Sequence, residues 1–519
     1  VADRTSTSSV CTNPYRTALL AAATFSLLVA PMSAAAARGE ARPFEASLRR
    51  SILVKGDERA TFNLAERMQH YRVPGVAVAV IQDCRIVDAR GFGTYADGAT
   101  PITARTLFQA GSISKVVTAI AALRLREQGK LSLDSDVRPQ LTSWKLSAAS
   151  GEAPAVTLRQ LLNHTAGLNE VGGTGYDRGT ALPSLKQILD GIKPANTPAI
   201  RIERAPGSRW AYSSGGYYVA QALLSDRTGE PFADLAARLV LRPAGMTGSS
   251  FSQPQESKRQ RLAATAVGPD GSPMPGGWRN NPELAAGGLW STPTDLARLA
   301  IAIARDVRGD GPRLVQPSSA RELMNRGPGN WGLGLDLGPA GGARRFGHTG
   351  HNTGFVSEFV MYPDSCQGAV VMTNADQGGW LITEVLRAIG EVYRWPDQKP
   401  LPIQAAVPLT DAIATRFVGT YRLRDFPAEK FSISRKSTGG LYWARTGHIG
   451  RDLLAQSESK LFSPDSRMTL EATGPTPERA MVLELSFGGG KNIAERVNEP
   501  INPTFSAGPQ SSPARWLRR

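Results

Sequence analysis

Ser112 and Lys115 stand three residues apart in "FQAGSISKVV", at the edge of a run with helical periodicity. Residues i and i+3 share one helix face, so the amine can reach the hydroxyl. A serine hydroxyl is a weak nucleophile until a base takes its proton. Lysine serves as that base only when neutral, and burial favours the neutral form. A helix start adds unpaired N–H groups and a positive dipole end, which stabilise a developing oxyanion. The spacing alone discriminates little. Ser457 and Lys460 repeat it in the polar "AQSESKLF", where an exposed serine and a surface lysine account for it.

Two later phrases add chemistry. "PGSRWAYSSGGYYVAQALL" places Tyr212, with Ser214 close behind, in a small-residue turn before a helix. "FGHTGHNTGF" places His348, Thr349, Gly350 and His351 on a strand bounded by glycines. Glycine in a strand admits a second backbone, here expected to be a substrate's. Taken singly, Tyr212 is more often a core or turn aromatic and His348 a satisfied structural histidine. His164, in the helix-ending "NHTAG", reads as structural. The histidines at 70, 164, 348, 351 and 448, with Cys84 and Cys366, lack metal-ligand spacing. No Gly-x-Ser-x-Gly elbow, phosphate loop or dinucleotide fingerprint competes for the chemistry. Neither a metal nor an organic cofactor is expected.

In their order, these phrases resemble the serine β-lactamase and penicillin-binding protein superfamily. The nearest branch is the class C β-lactamase-like one, which includes D-Ala-D-Ala carboxypeptidases, esterases and D-aminopeptidases. "VTLRQLLNHTAGL", "LRPAGMTGSSF" and "AAGGLWSTPTDLARL" extend the likeness, which runs from about Glu58 to Arg394. The resemblance implies that Ser112 becomes acylated while Lys115 takes or tunes its proton. Tyr212 matches the tyrosine of a Tyr-x-Asn motif and would shuttle a proton to the leaving group. Thr349 and Gly350 would line the cleft. The backbone N–H groups of Ser112 and His351 would form the oxyanion hole. Ser214 stands where that motif has asparagine, and one hydroxyl cannot replace an amide's donors and acceptor. His348 stands where β-lactamases have a lysine that holds the substrate carboxylate, and its charge depends on its surroundings. Both departures point from efficient β-lactamase activity toward an esterase, peptidase or amidase acting on a small ester, amide or D-peptide. The alternatives are a penicillin-binding or sensing module that acylates with little turnover, and a non-catalytic interaction protein.

The elements that must position these residues are legible. "GVAVAVIQDCRIVDARGFG" reads as a hairpin turning at "QDC", and a helix follows from Ser112 to about Gln128. Thr157 with Gln160 forms a capping box, and Thr292, Pro293 and Asp295 start another helix. Three strands are expected across 344–375, with a turn at "PDSCQG". Strands at both ends and helices between predict an α+β, β-lactamase/transpeptidase-like domain over 50–396: one antiparallel sheet of N- and C-terminal strands, with helices on both sides. The resemblance places the first hairpin beside the last strand of that domain. It thereby implies a Cys84–Cys366 disulfide between two turns at one end of the sheet.

A Pro-rich linker is expected at 397–409. A small, barrel-like all-β domain follows over 410–505, with strands at "FVGTYRL", "KFSISRK", "GLYWART" and "MVLELSFGG". The resemblance allows "KFSISRK" and "GLYWART" to be cleft-side strands. The tail, 506–519, is Pro/Ser/Arg-rich and expected to be disordered. Residues 1–37 read as a signal peptide: Arg16, an apolar run, then "PMSAAAARGE". The mature chain is expected to be exported, periplasmic or secreted, with no integral membrane segment. An oxidising compartment permits the disulfide. The net charge of +15 is dispersed, with no aromatic-interleaved basic stripe, so nucleic acid is not an expected partner.

Overall fold

A computed structural model describes residues 43–169, 171–311, 313–473, 481–487 and 490–499. The expected signal peptide and C-terminal tail lie outside the described residues. Helix α1, Leu64–Tyr71, starts at a reciprocal cap between Asn63 and Glu66. Strands β1, Gly75–Gln82, and β2, Arg85–Gly93, form the first hairpin. Helix α2, Ser114–Glu127, is buried almost all round and forms the centre of the helical layer. Short α3, Leu158–Leu162, carries the Thr157–Gln160 capping box. Helix α4, Gly215–Thr228, follows the Tyr212 turn. The single turn α5, Leu284–Gly287, and the long α6, Pro293–Arg308, complete that layer. Thr292 Oγ1 caps α6 by accepting from the Asp295 N–H, with Pro293 in the first turn.

Strands β3, Phe346–Asn352, β4, Phe355–Tyr362, and β5, Gln367–Thr373, return the chain to the sheet. The five strands are ordered β3-β4-β5-β1-β2, and all pairs among them are antiparallel. β1 is buried on both sides, and its alternation explains why it reads as an unbroken apolar run. Ala77, Ala79 and Ile81 pack toward α2 and α6, while Val76, Val78 and Val80 pack toward α1 and α7, Gly378–Val392. The α+β sandwich is therefore the observed fold, with N- and C-terminal strands adjacent in one sheet. Cys84 and Cys366 are joined by a disulfide with Cα atoms 5.0 Å apart, and the Cys84 N–H donates to Cys366 O. Among the described residues no helix is long and apolar enough to cross a membrane.

The segment expected to be an irregular linker holds a short strand: Ile403 and Gln404 pair in parallel with Leu53 and Val54. Beyond it, eight antiparallel strands close a barrel. They are β6, Gly419–Leu423; β7, Lys430–Arg435; β8, Leu441–Arg445; β9, Arg451–Ser457; β10, Lys460–Phe462; β11, Thr469–Thr473; β12, Val482–Phe487; and β13, Gly490–Val497. Alternate residues fill the interior: Tyr421, Phe431, Ile433, Leu461, Leu470 and Leu483 are at most 2% exposed. The sequence marks only four of these strands.

"KFSISRK" and "GLYWART" are barrel strands β7 and β8, and the barrel meets the sheet domain through the segments after them. The Ile449 N–H donates to Pro269 O (3.1 Å). The Arg451 guanidinium lies over the rings of Tyr71 and Trp380. Asp465, whose side chain is fully buried, accepts from Arg67 and from His70 Nε2 at 2.8 Å each. Arg67 in turn grips Glu384 of α7. A buried carboxylate shared in this way is held charged, well below the usual carboxylate range. Burial opposes that shift, and His70 and Arg67 overcome it.

Candidate active site

Ser112 lies in a 3-10 turn, Gly111–Ile113, that precedes α2. The helix begins at Ser114, two residues later than the sequence suggests. The tighter turn is fixed by Ser114, whose buried hydroxyl donates to Gly111 O (2.6 Å) and accepts from the Leu289 N–H (3.0 Å). Gly111 has φ +51°, and a Cβ there would strike the backbone nitrogen of His351. A Cβ on Gly350 would strike Ala110 O and lie 3.2 Å from the Ser112 nitrogen. The glycine of His-Thr-Gly thus admits the protein's own nucleophile turn.

Lys115 is wholly buried. Its Nζ is 3.0 Å from Ser112 Oγ, 3.3 Å from Ser214 Oγ and 2.9 Å from Ala286 O. The carbonyl can only accept, so one Nζ proton points at Ala286. An uncharged amine here can give its second proton to Ser214 and turn its lone pair to the Ser112 hydroxyl. That is the hydrogen-bond pattern of a base beside its nucleophile. The Tyr212 and Tyr217 rings lie 5.1 and 5.4 Å from Nζ.

Tyr212 sits just before the first turn of α4, where Ser214 stands in the N-cap position. Its turn is braced by His164, which has φ +64°. His164 Nδ1 accepts from the Ser213 N–H (3.2 Å), its carbonyl accepts from the Ala211 N–H, and its ring lies 4.3 Å from that of Tyr212. His164 is structural, as its phrase suggests, and the structure it holds is the Tyr212 turn.

Strand β3 forms the opposite wall and is the edge of the sheet. Gly347 exchanges backbone hydrogen bonds with Asp336 on its outer side. Strand groups alternate with period two, so Thr349 and His351 also present their backbone groups outward, toward the nucleophile turn. A Cβ on Gly111 would lie 2.5 Å from the His351 nitrogen, so the nucleophile turn and that nitrogen are neighbours. His348, Gly350 and Asn352 project to the α2 face, while Thr349 and His351 project to the other. His348 is 2% exposed, and its Nδ1 must carry a proton, because it lies 2.7 Å from the carbonyl of Thr349. Thr349, half-buried on the alternate face, lies opposite Glu358 in the register. His351 Nε2 donates to Asp376 (2.9 Å).

Sequence reasoning missed several members of the site. Trp331 packs edge-on against His348 and His164 at 5.3 Å each, and Trp210 lies 5.8 Å from Trp331. Trp331 comes from a glycine-rich loop without periodicity, so nothing local marks it. Gln109 Oε1 accepts from both Asn281 Nδ2 (2.9 Å) and Asn352 Nδ2 (2.8 Å), and Asn352 also donates to Gly287 O. Strand alternation from His348 does point to Asn352. Buried Glu283 lies one residue before α5, and burial pushes its carboxyl up to about 7, against its own N–H and the Tyr176 hydroxyl. By contrast, Ser457 and Lys460 are paired across the β9–β10 hairpin.

Comparison with known proteins shows the family and the fold. The family described as Beta-lactamase matches residues 61–393. Penicillin-binding protein 4 of Amycolatopsis lactamdurans is 28% identical over 366 residues, covering 66% of this chain and 93% of its own. Esterase EstB of Burkholderia gladioli is 30% identical over 236 residues, covering 42% of this chain and 56% of its own. The octameric penicillin-binding protein homologue from Pyrococcus abyssi shares the fold, with a TM-score of 0.56 at 22% identity over 83% of this chain and 98% of its own.

Proposed function

We propose, from the premise that this chain belongs to the Beta-lactamase family, that it is an exported serine acyl-hydrolase. It cleaves a small ester or amide through an acyl-enzyme on Ser112. The observation that carries this reading is Lys115: a wholly buried amine 3.0 Å from Ser112 Oγ, with its other contacts on Ser214 and Ala286. Lys115 accepts the hydroxyl proton as Ser112 attacks the carbonyl. Charge then builds on the carbonyl oxygen between the Ser112 and His351 N–H groups. The tetrahedral intermediate collapses, the bond to the leaving group breaks, and that group takes a proton relayed from Lys115 by way of Tyr212. Water repeats the sequence, and Ser112 is freed.

The site favours esters, amides or D-peptides over β-lactams. Where a β-lactamase presents a lysine to a carboxylate, His348 lies buried against Trp331 and Tyr212. An anionic substrate group therefore meets an aromatic wall. A second reading, an acylating module with slow turnover, draws on Ser214, which supplies one hydroxyl where an amide would offer two donors and an acceptor.

A substrate panel separates the two: short-chain nitrophenyl esters, a chromogenic cephalosporin, D-Ala-D-Ala peptides and D-amino acid amides. Sustained ester or amide turnover, with an acyl mass on wild-type protein that Ser112→Ala abolishes, supports the hydrolase. A burst of one equivalent without a steady state favours the module. Turnover unchanged in Ser112→Ala removes both.

A further inference from the structure

The free edge of β3 is fixed from behind by a carboxylate that the chemistry above does not use. Asp376 lies in the turn between β5 and α7, with its side chain 5% exposed. Its Oδ1 accepts from His351 Nε2 at 2.9 Å and from the backbone N–H of Gly354 at 3.2 Å. His351 stands one residue before the end of β3, and Gly354 lies in the two-residue turn, Thr353–Gly354, that joins β3 to β4. One oxygen thus holds both the end of β3 and the bend of its hairpin. Asp376 is itself anchored, since its N–H donates to Val267 O (3.1 Å). Its neighbour Gln377 donates to Gly268 O and Pro269 O at 3.1 and 2.6 Å. The barrel reaches the same loop through the Ile449 N–H to Pro269 O.

We infer that Asp376 is a positioning residue: by gripping the His351 side chain on one face of β3, it sets the place of the His351 backbone N–H beside Ser112. This rests on the acyl-hydrolase reading above. β3 has a partner strand on one side only. On the other side, its outer backbone groups beyond Gly347 face the nucleophile turn. Side chain and backbone nitrogen leave the same Cα, so restraint of the imidazole restrains the donor. An oxyanion donor acts only within hydrogen-bond reach of the developing charge, and a displacement of about 1 Å can cost on the order of a hundredfold in rate.

The grip is ionic, and it has a pH signature. Burial disfavours charge on His351, but Asp376 outweighs it and raises the imidazole above the ordinary histidine range. Burial also works against the Asp376 carboxylate, yet His351 and the Gly354 N–H hold it below its ordinary range. The other charged groups acting here come from the barrel. Arg445 pushes His351 down, and His448 is itself lowered by burial and by Arg445. The pair is ionic below the ordinary histidine value, and as pH rises through the raised one the charge is lost and the grip weakens to a neutral hydrogen bond. The rate should therefore carry an alkaline limb belonging to His351.

The test uses the full chain, short-chain nitrophenyl esters, and kcat and KM measured from pH 5 to 10, with circular dichroism as the folding control. Asp376→Ala should lower kcat about ten- to a hundredfold with KM within about threefold. Asp376→Asn keeps an acceptor for Gly354 but no charge. It should lose less, and its alkaline limb should move down toward the ordinary histidine range. If Asp376→Ala fails to fold, the Asp376→Asn profile decides. An unmoved alkaline limb in Asp376→Asn, or a loss confined to KM, overturns the inference alone. A wild-type protein that cleaves none of the esters, amides or D-peptides of the panel above overturns the hydrolase reading and the inference with it.

Discussion

In the nucleophile turn, Lys115 is wholly buried and its Nζ lies 3.0 Å from Ser112 Oγ. In the barrel, Ser457 and Lys460 occupy the same spacing across the β9–β10 hairpin. There the lysine Nζ lies 3.4 Å from Glu471 Oε2, and Ser457 Oγ lies 3.4 Å from Ser459 Oγ. Both clusters hold a lysine and more than one serine hydroxyl. They differ in what the backbone does between the two residues. A helical turn stacks i over i+3, so the amine bends back onto the hydroxyl. A hairpin sets the residues side by side and leaves both side chains in water. There a carboxylate outcompetes a hydroxyl for the amine. The spacing therefore becomes chemistry only on a helical start that is also buried.

The largest expected contrast is in catalysis. Ser112→Ala should reduce turnover on every cleaved substrate by about a thousandfold or more, since it removes the hydroxyl that forms the acyl-enzyme. Ser457→Ala should leave kcat and KM unchanged within error. Steady-state kinetics on both variants checks this, and an equal loss in the two would break the comparison. Next comes the lysine. Lys115→Ala should lower kcat by about a hundred- to a thousandfold. It should also destabilise the fold by about 1–3 kcal/mol, because Ala286 O loses a buried donor and a cavity opens. Lys460→Ala removes an exposed, screened ion pair and should change stability by less than about 0.5 kcal/mol. Urea unfolding of the two variants gives the comparison directly.

How far this contrast was legible in the sequence depends on what kind of pattern held it. β1 and the three strands β3–β5 declared themselves as β-rich runs and by the turns at "QDC" and "PDSCQG". Ser112, Lys115, Tyr212 and His348 were singled out because each sits at a boundary, a helix start, a small-residue turn or a glycine-bounded strand, and because their three phrases occur in the order of one family's motifs. Trp331 has no such mark. It arrives from a glycine-rich loop and reaches His348 only through tertiary packing. The barrel strands β9, β10 and β11 were invisible for a related reason. β10 is three residues long, and the polar "AQSESK" breaks up a hairpin whose inward residues include Leu453, Ala455 and Leu461. Gly350 was read as a place of close backbone approach, and the folded chain brings the nucleophile turn itself against it. A sequence shows that room is needed, and the folded chain shows what fills it.

The smallest expected effect sharpens the comparison most, because it concerns the second serine of each cluster. Ser214 Oγ lies 3.3 Å from Lys115 Nζ, a long and uncharged contact if the amine is neutral. Losing one such hydrogen bond costs about 0.5–1.5 kcal/mol, or roughly two- to tenfold in rate if the bond matters in the transition state. Ser214→Ala should therefore lower kcat by about that factor with little change in KM, since Ser214 holds the base rather than the substrate. Ser459→Ala, beside the other pair, should do nothing to kcat. If Ser214→Ala instead raised KM and spared kcat, the hydroxyl would belong to substrate binding. Lys115 would then be oriented by Ala286 O and the Tyr212 face, and the nucleophile turn would need only burial and a helical start to differ from its exposed counterpart.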